Sequence, residues 1–333
     1  MVYIEKSAVK GSIFKYIENN QITYEIIEEN VVEELNDLED AIVIRKSSKE
    51  IHSCPSTKYY RCCNYQVLDI MEGCPYNCSY CILKTILNHK NIIVNDTVDT
   101  LREELIKLDK MSKQRIGSGE LSDSLALDNI VGLTTIISPI VNSLKNSVFE
   151  YKTKSVNIDN LLKLNPKNII VSWSVNPNLI IKREELLTPL IEERLNAAKI
   201  CAEYGYRLAF HFDPLILCEN FEKEYKVVVE KIVEKVDEKV VSYISIGILR
   251  FMPQLEDIIR NNYLESNILA NEFVETIDGK LRYLKPVRYY MVNYLYNLIR
   301  KYWKNAFIYL CMEDVSIWEN VLGYDPGNRQ SFE

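Results

Sequence analysis

Short apolar runs and helix-period patterns alternate along most of the chain. Runs rich in β-branched and aromatic residues predict strands at 65–71 (YQVLDIM), 115–120, 148–154, 168–175, 206–212 and 241–249. Between them, helices are expected near 97–111, 134–145, 157–164, 189–204 and 221–237, the last two with apolar residues returning every three to four positions. Strand and helix in strict alternation predict an α/β fold of repeated β/α units on a parallel sheet. Six such units make a partial barrel or an open, curved sheet, and closure into eight is not supported. Residues 1–64 form an N-terminal extension whose own apolar runs, YEIIEENVVEEL and AIVIRK, suggest a small subdomain or a lid. The barrel would occupy 65–262. Residues 263–333 form a C-terminal extension closing it: an aromatic-rich helix at 286–303 with Pro near its start, a strand FIYLCME, and a helix VSIWENVLG stopped by glycine.

Composition narrows the class. With 333 residues, 47% of them hydrophobic, the chain can bury one large core or two modest ones. No apolar run approaches a membrane span, and the charged, aromatic N-terminus is unlike a signal peptide. A cytoplasmic protein with no membrane partner is expected. The formal charge of -7 argues against non-specific binding to a phosphate backbone. The charged runs KREELLTPLIEERL and RKYWKN read as solvated helix faces. Many of the 22 tyrosines fall at helical spacing, as in YYMVNYLYNLIRKYW, and read as core before base-stacking surface.

Three of the nine cysteines are clustered, in GCPYNCSYCIL, as Cys74, Cys78 and Cys81. They follow the first predicted barrel strand, at the end where α/β folds keep their chemistry. Structural zinc takes four ligands, and no second cysteine or histidine pair follows at the required distance. His89 is a possible fourth ligand, although ILKTILNHK reads as a helix leading away. An iron-sulfur cluster on three thiolates leaves one iron open to a substrate or cofactor. Zinc and a redox dithiol remain the alternatives.

The spacing C-x3-C-x2-C, with Tyr80 before the last cysteine and a β/α barrel around it, resembles the radical S-adenosylmethionine (SAM) superfamily. The resemblance implies a partial (β/α)6 barrel and a 4Fe-4S cluster on Cys74, Cys78 and Cys81. SAM would chelate the fourth iron. An electron donor such as flavodoxin or ferredoxin would drive its cleavage to a 5′-deoxyadenosyl radical, which abstracts hydrogen from substrate. The GSGE turn looks like the superfamily's GGE-type turn, so Gly119, Glu120 and Ser122 are expected at the methionine ammonium. The alternative is a Glu120 that caps a helix starting near Ser122. Lys154 is expected at the methionine carboxylate, and Ser174, Asn176 and Ser172 at the ribose. His211 and Asp213 would position substrate or shuttle a proton; otherwise they are a core histidine and a capping aspartate. Glu313 and Trp318 would close the barrel's open edge or pack in the core.

YRCCNYQVLDIMEGCPYNCSYCILKTILN, SGELSDSLALD, YKTKSVNIDNLL, VSWSVN, LIEERLNAAKICAEYGYRLAFHFDPLI and GILRFMP together look like the spore photoproduct lyase family, over roughly residues 50 to 255. By position, Lys154 and Ser174 match residues that contact SAM, and Tyr80 an aromatic beside the cluster. Two positions depart from the DNA-repair enzyme. Glu120 stands where that enzyme has a cysteine that returns a hydrogen atom to the product, and Ile82 where it has a tyrosine. Cys62, Cys63 or Cys311 would be a relocated donor, or else small buried hydrophobes. Cys54, Cys62 and Cys63 raise a second metal site. The implied activity is a lyase that breaks or rearranges a carbon-carbon bond in a bulky substrate, DNA or polypeptide. A maturase of ribosomally made peptides is the alternative within the superfamily, and a non-catalytic Fe-S sensor the alternative outside it.

Overall fold

The computed structural model describes residues 1–29, 41–47, 51–54, 59–63, 65–111, 113–327 and 329–330; the part of YEIIEENVVEEL from Asn30 onward lies outside them. Seven parallel strands run in chain order through one curled sheet: β1 (Tyr65–Leu68), β2 (Arg115–Gly117), β3 (Val148–Thr153), β4 (Ile169–Ser174), β5 (Arg207–Leu215), β6 (Val241–Ile248) and β7 (Ile308–Leu310). Ile51–Ser53 adds an antiparallel edge outside β1. All six expected strands are present, and FIYLCME supplies the seventh. The sheet stops short of a closed barrel.

Packing explains why these runs are strands. β4, IIVSWS, is buried at every position, as expected where helices cover one face and a filled interior the other. Covering the outside are α1 (Val98–Met111), α2 (Leu133–Val141), α3 (Ile191–Glu203), α4 (Phe221–Lys235) and α5 (Lys285–Tyr302). α3 packs on β4 and β5, α4 on α3, and α5 on α4 and β6. Register sets four polar residues side by side across the sheet: Ser174, His211, Ser245 and Tyr309.

Several expectations are corrected. The helix foreseen at 157–164 is a single tight turn, Leu161–Lys163, and a helix at Asn178–Glu184 was not foreseen. The segment after the cysteines is helical only over Leu83–Ile86 before it becomes a strand, Ile92–Asp96. That strand joins Met71–Glu72 in a five-stranded sheet with Tyr24–Ile27, Val2–Glu5 and Ile42–Lys46. The N-terminal segment is thus woven into the barrel's first β/α unit. At the other end, Trp318 is wholly buried, and the buried Glu313 pairs with Arg288 at 3.2 Å. Among the described residues, no helix is long and apolar enough to cross a membrane.

Candidate active site

A cavity of about 370 Å³ opens at the carboxyl ends of the strands. It brings together Cys74, Cys78, Cys81, Tyr80, Gly119, Glu120, Ser122, Lys154, Ser174, His211 and Asp213.

The cysteine loop is fastened on two sides. Gly73, at φ 98, makes the turn into it, in a conformation costly for any residue with a Cβ, and its N–H donates to the Leu121 carbonyl at 3.0 Å. Across the cavity mouth, Asn77–Cys78 pairs antiparallel with Glu185–Leu186. The Ser79 hydroxyl donates to Glu184 and the Tyr80 hydroxyl to Glu185. Behind them, the fully buried Arg194 donates to Glu185 at 2.6 Å and to the Ser174 carbonyl at 2.9 Å. The run expected to be a solvated helix face therefore buries Glu184, Glu185 and Arg194. Sequence reading missed them because nothing local separates a buried ion pair from an exposed one. Burial opposes ionisation of Glu185, but Arg194 and Lys154 hold its carboxyl down to about 2.

Two of the thiols, Cys74 and Cys78, sit in a setting that discourages a bare thiolate. Burial pushes Cys78 up to about 12 against the pull of Lys154, and burial, then Asp123, raises Cys74. A metal centre that replaces the proton removes this cost. Burial also works against the Lys154 ammonium, yet Cys78 and Glu185 outweigh it and hold its pKa above the usual lysine value.

Asp123 builds the second wall. Its carboxylate accepts from the Leu125 and Ala126 N–H groups, the Thr153 hydroxyl and, at 2.6 Å, the Lys154 N–H, tying the turn after β2 to the end of β3. Gly119 permits that approach, since a Cβ there would lie 2.8 Å from that of Lys152. No helix starts near Ser122; the first one after the turn is Asp128–Val131, so Glu120 does not serve as its cap. Burial and Asp69 raise the Glu120 pKa.

The row on β4 to β6 forms the third wall. His211 Nε2 meets Glu150 at 2.7 Å, and Glu150 also accepts from Arg115 and from Ser172. Burial, then Lys152, keeps the His211 pKa low, so the ring is neutral. Burial opposes ionisation of Asp213 too, but Arg250, at 3.3 Å, and Lys152 hold it to about 2. Asn176 and Ser172 do not reach the wall. Asn176 donates to Glu185 and accepts from Tyr225, and Ser172 is spent on Glu150. His89 also lies outside, against the Asn91 carbonyl.

Among the described residues, polar atoms on the cavity wall without a hydrogen-bond partner include Tyr65 Oη, Glu120 Oε2, Ser122 Oγ, His211 Nδ1 and Ser245 Oγ. Buried polar groups left open cost free energy unless a ligand completes them. Three free thiols beside such a wall fit an iron-sulfur cluster with an open iron and a polar cofactor across from it. The sequence profile of the spore photoproduct lyase family matches residues 9–311. The chain belongs to the spore photoproduct lyase family. It is a radical SAM enzyme of the lyase type, with a 4Fe-4S cluster and SAM as cofactors.

Within this family, the chain is 26% identical over 265 residues to the spore photoproduct lyase of Bacillus subtilis, covering 77% of this chain and 72% of that one. It is 28% identical over 181 residues to that of Clostridium acetobutylicum, covering 53% and 54%. A mutant spore photoproduct lyase solved with bound AdoMet and dinucleoside spore photoproduct superposes with a TM-score of 0.77 at 18% identity, covering 93% of this chain and 98% of that one. That likeness establishes the fold.

Proposed function

We propose that this enzyme acts on a covalently linked pair of bases in DNA and breaks the carbon-carbon bond between them. The cavity wall carries the reading: among the described residues, three cysteines, unpartnered polar atoms and further thiols converge on one space. Cys74, Cys78 and Cys81 would hold the cluster, which would supply, once reduced, the electron for cleavage of SAM to methionine and a deoxyadenosyl radical. Glu120 and Ser122 would receive the methionine ammonium and Lys154 its carboxylate, a charge-assisted pairing at each end. Ser174 offers a hydroxyl to the ribose. His211, neutral and held by Glu150, presents Nδ1 as an acceptor for substrate, and Asp213 stays ionised on Arg250 as an orienting group.

Hydrogen return has candidates other than residue 120. Cys54, Cys63 and Cys311 line the cavity, while Cys62 lies behind them against all three. The hydrogen bond from Cys62 and, against burial, Arg115 draw the Cys63 thiol down, which weakens it as a hydrogen-atom donor. Cys311 and Cys54 are the favoured donors on the cavity wall. Support for a DNA substrate comes from the curated relatives and from the photoproduct bound by the solved one.

The test is anaerobic. Protein loaded with iron and sulfide is reduced with dithionite, given SAM and an oligonucleotide containing spore photoproduct, and assayed for 5′-deoxyadenosine and repaired thymines. Both products from wild type and neither from Cys78→Ala support the reading. Cleavage of SAM with no repair of the oligonucleotide would remove DNA as the substrate. Cys311→Ala should keep SAM cleavage and lose most repair.

A further inference from the structure

Four of the nine cysteines lie outside the cluster loop yet meet at the same cavity, brought there by distant parts of the chain. The Cys54 N–H donates to the Tyr65 carbonyl at 2.9 Å, which lays Cys54 beside the start of β1. The Arg61 N–H donates to the Glu313 carbonyl at 2.9 Å, and the Glu313 N–H donates back to the Arg61 carbonyl at 3.3 Å. This antiparallel bridge sets Cys62 and Cys63, just after Arg61, against the chain at Cys311, just before Glu313. Cys54, Cys63 and Cys311 line the cavity. Cys62, 1% exposed, sits behind them in hydrogen-bond contact with all three thiols. Cys311 is the strongest of these contacts, and together they hold the Cys62 thiol above its usual pKa.

Packing alone does not account for such a grouping. Cys201, wholly buried in α3, shows a structural cysteine in this fold: burial is all that acts on its thiol. At the cavity, in contrast, thiols are given cations. Arg115 donates to Cys63 at 3.0 Å and Arg250 to Cys311 at 3.6 Å. A partly accessible cysteine beside a cation is the reactive kind, whereas one buried in apolar surroundings is inert. Cys62 and Cys63 are poorly placed to join each other, since adjacent Cα atoms lie about 3.8 Å apart and disulfides usually span at least about 4.4 Å. Cys311 is then the partner that Cys62 touches most closely.

We propose that Cys62 and Cys311 form a reversible disulfide by exchange with a low-molecular-weight disulfide, and that this bond withdraws Cys311 from hydrogen donation. The second half rests on the reading of Cys311 as a donor. Exchange needs no other reagent. The cavity-facing Cys311 sulfur attacks one sulfur of the small disulfide, forming a mixed disulfide and releasing the first small thiol; the Cys62 sulfur then attacks Cys311 and releases the second. Two protein thiols are oxidised, one small disulfide is reduced to two thiols, and the two thiol protons leave with them. A disulfide sulfur carries no hydrogen, so the oxidised enzyme keeps SAM cleavage and loses the Cys311 hydrogen atom for the product.

The experiment uses cluster-loaded protein, in which Cys74, Cys78 and Cys81 are occupied, held anaerobically in mixtures of mercaptoethanol and hydroxyethyl disulfide. Free thiols are alkylated and the digested peptides are mapped by mass. A peptide linking Cys62 to Cys311, two hydrogens lighter than the separate pair, is expected to rise with the disulfide share and to vanish when thiol is restored, while Cys201 stays alkylated throughout. Cys62→Ser should stop at a mixed disulfide between Cys311 and the probe. Cys62 and Cys311 both alkylated in the most oxidising mixture would overturn the proposal, as would Cys62 linked to another cysteine instead. In wild type, repaired thymine per deoxyadenosine should fall as the link forms and recover on reduction; a ratio indifferent to the link would remove its effect on donation. Wild type that repairs nothing when fully reduced would remove the DNA substrate and the donor role with it, while the peptide map would still decide the disulfide.

Discussion

At the scale of single residues, Glu185 and Glu120 show how differently two carboxylates can be used. Glu185 is saturated: Tyr80, Asn176 and Arg194 all donate to it. Replacing it with glutamine leaves the Arg194 cation buried without its counter-charge, which should cost about 3–5 kcal/mol in chemical denaturation of the metal-free protein. Glu120 has one oxygen with no partner, and burial and Asp69 raise its pKa. If it holds the SAM ammonium, the wild-type KM for SAM rises as pH is lowered, because the carboxylate is lost earlier than an ordinary glutamate would be. Glu120→Gln should show a raised KM that no longer responds to that titration; a response left intact would exclude the role. The three cysteines were legible because metal chemistry fixes their spacing locally. The Glu185–Arg194 pair was not, because burial is decided by distant parts of the chain.

Among elements, the turn between β2 and its helix is where geometry is tightest. Gly119→Ala must push the turn away from β3, since its Cβ would sit 2.8 Å from that of Lys152. Such crowding should cost about 1–3 kcal/mol and raise the KM for SAM more than it lowers kcat. A thermal melt together with SAM titration checks both parts. Strands such as β4 and β6 were readable because apolar β-branched runs bury both faces of a parallel sheet. The predicted helix at 157–164 shrank to one turn because Ser155 Oγ accepts from the Asn157 N–H, a local hydrogen bond that competes with a helix, while the Asn157 side chain donates to the distant Ala126 carbonyl. Ile92–Asp96 was missed because three apolar residues are too few for periodicity to tell a strand from a helix.

For the whole molecule, the five-stranded N-terminal sheet matters more than a lid would. Its core includes the fully buried Ile44 and Val94, and it takes in Met71–Glu72 immediately before Gly73. Ile44→Ala should lower stability by about 2–5 kcal/mol through the cavity left behind. Because this sheet borders the cysteine loop, the same variant should retain less iron after reconstitution, whereas an equally destabilising substitution in α4 should not. Equal iron retention in the two would show that the sheet is a separate body.

The cysteine loop is stitched at both ends by backbone pairing that uses no iron: by Met71–Glu72 and Ile92–Asp96 in one sheet, and by the Asn77–Cys78 pairing with Glu185–Leu186 at the mouth. A small zinc domain folds only when its metal binds, so its metal affinity is diminished by the entropy of ordering the chain. Here backbone pairing on both sides would order the loop without help from the metal, so that loading the cluster would resemble filling a mould. Stripping the iron should therefore leave the loop as resistant to protease as before, and the empty enzyme should be able to take up a cluster repeatedly without refolding.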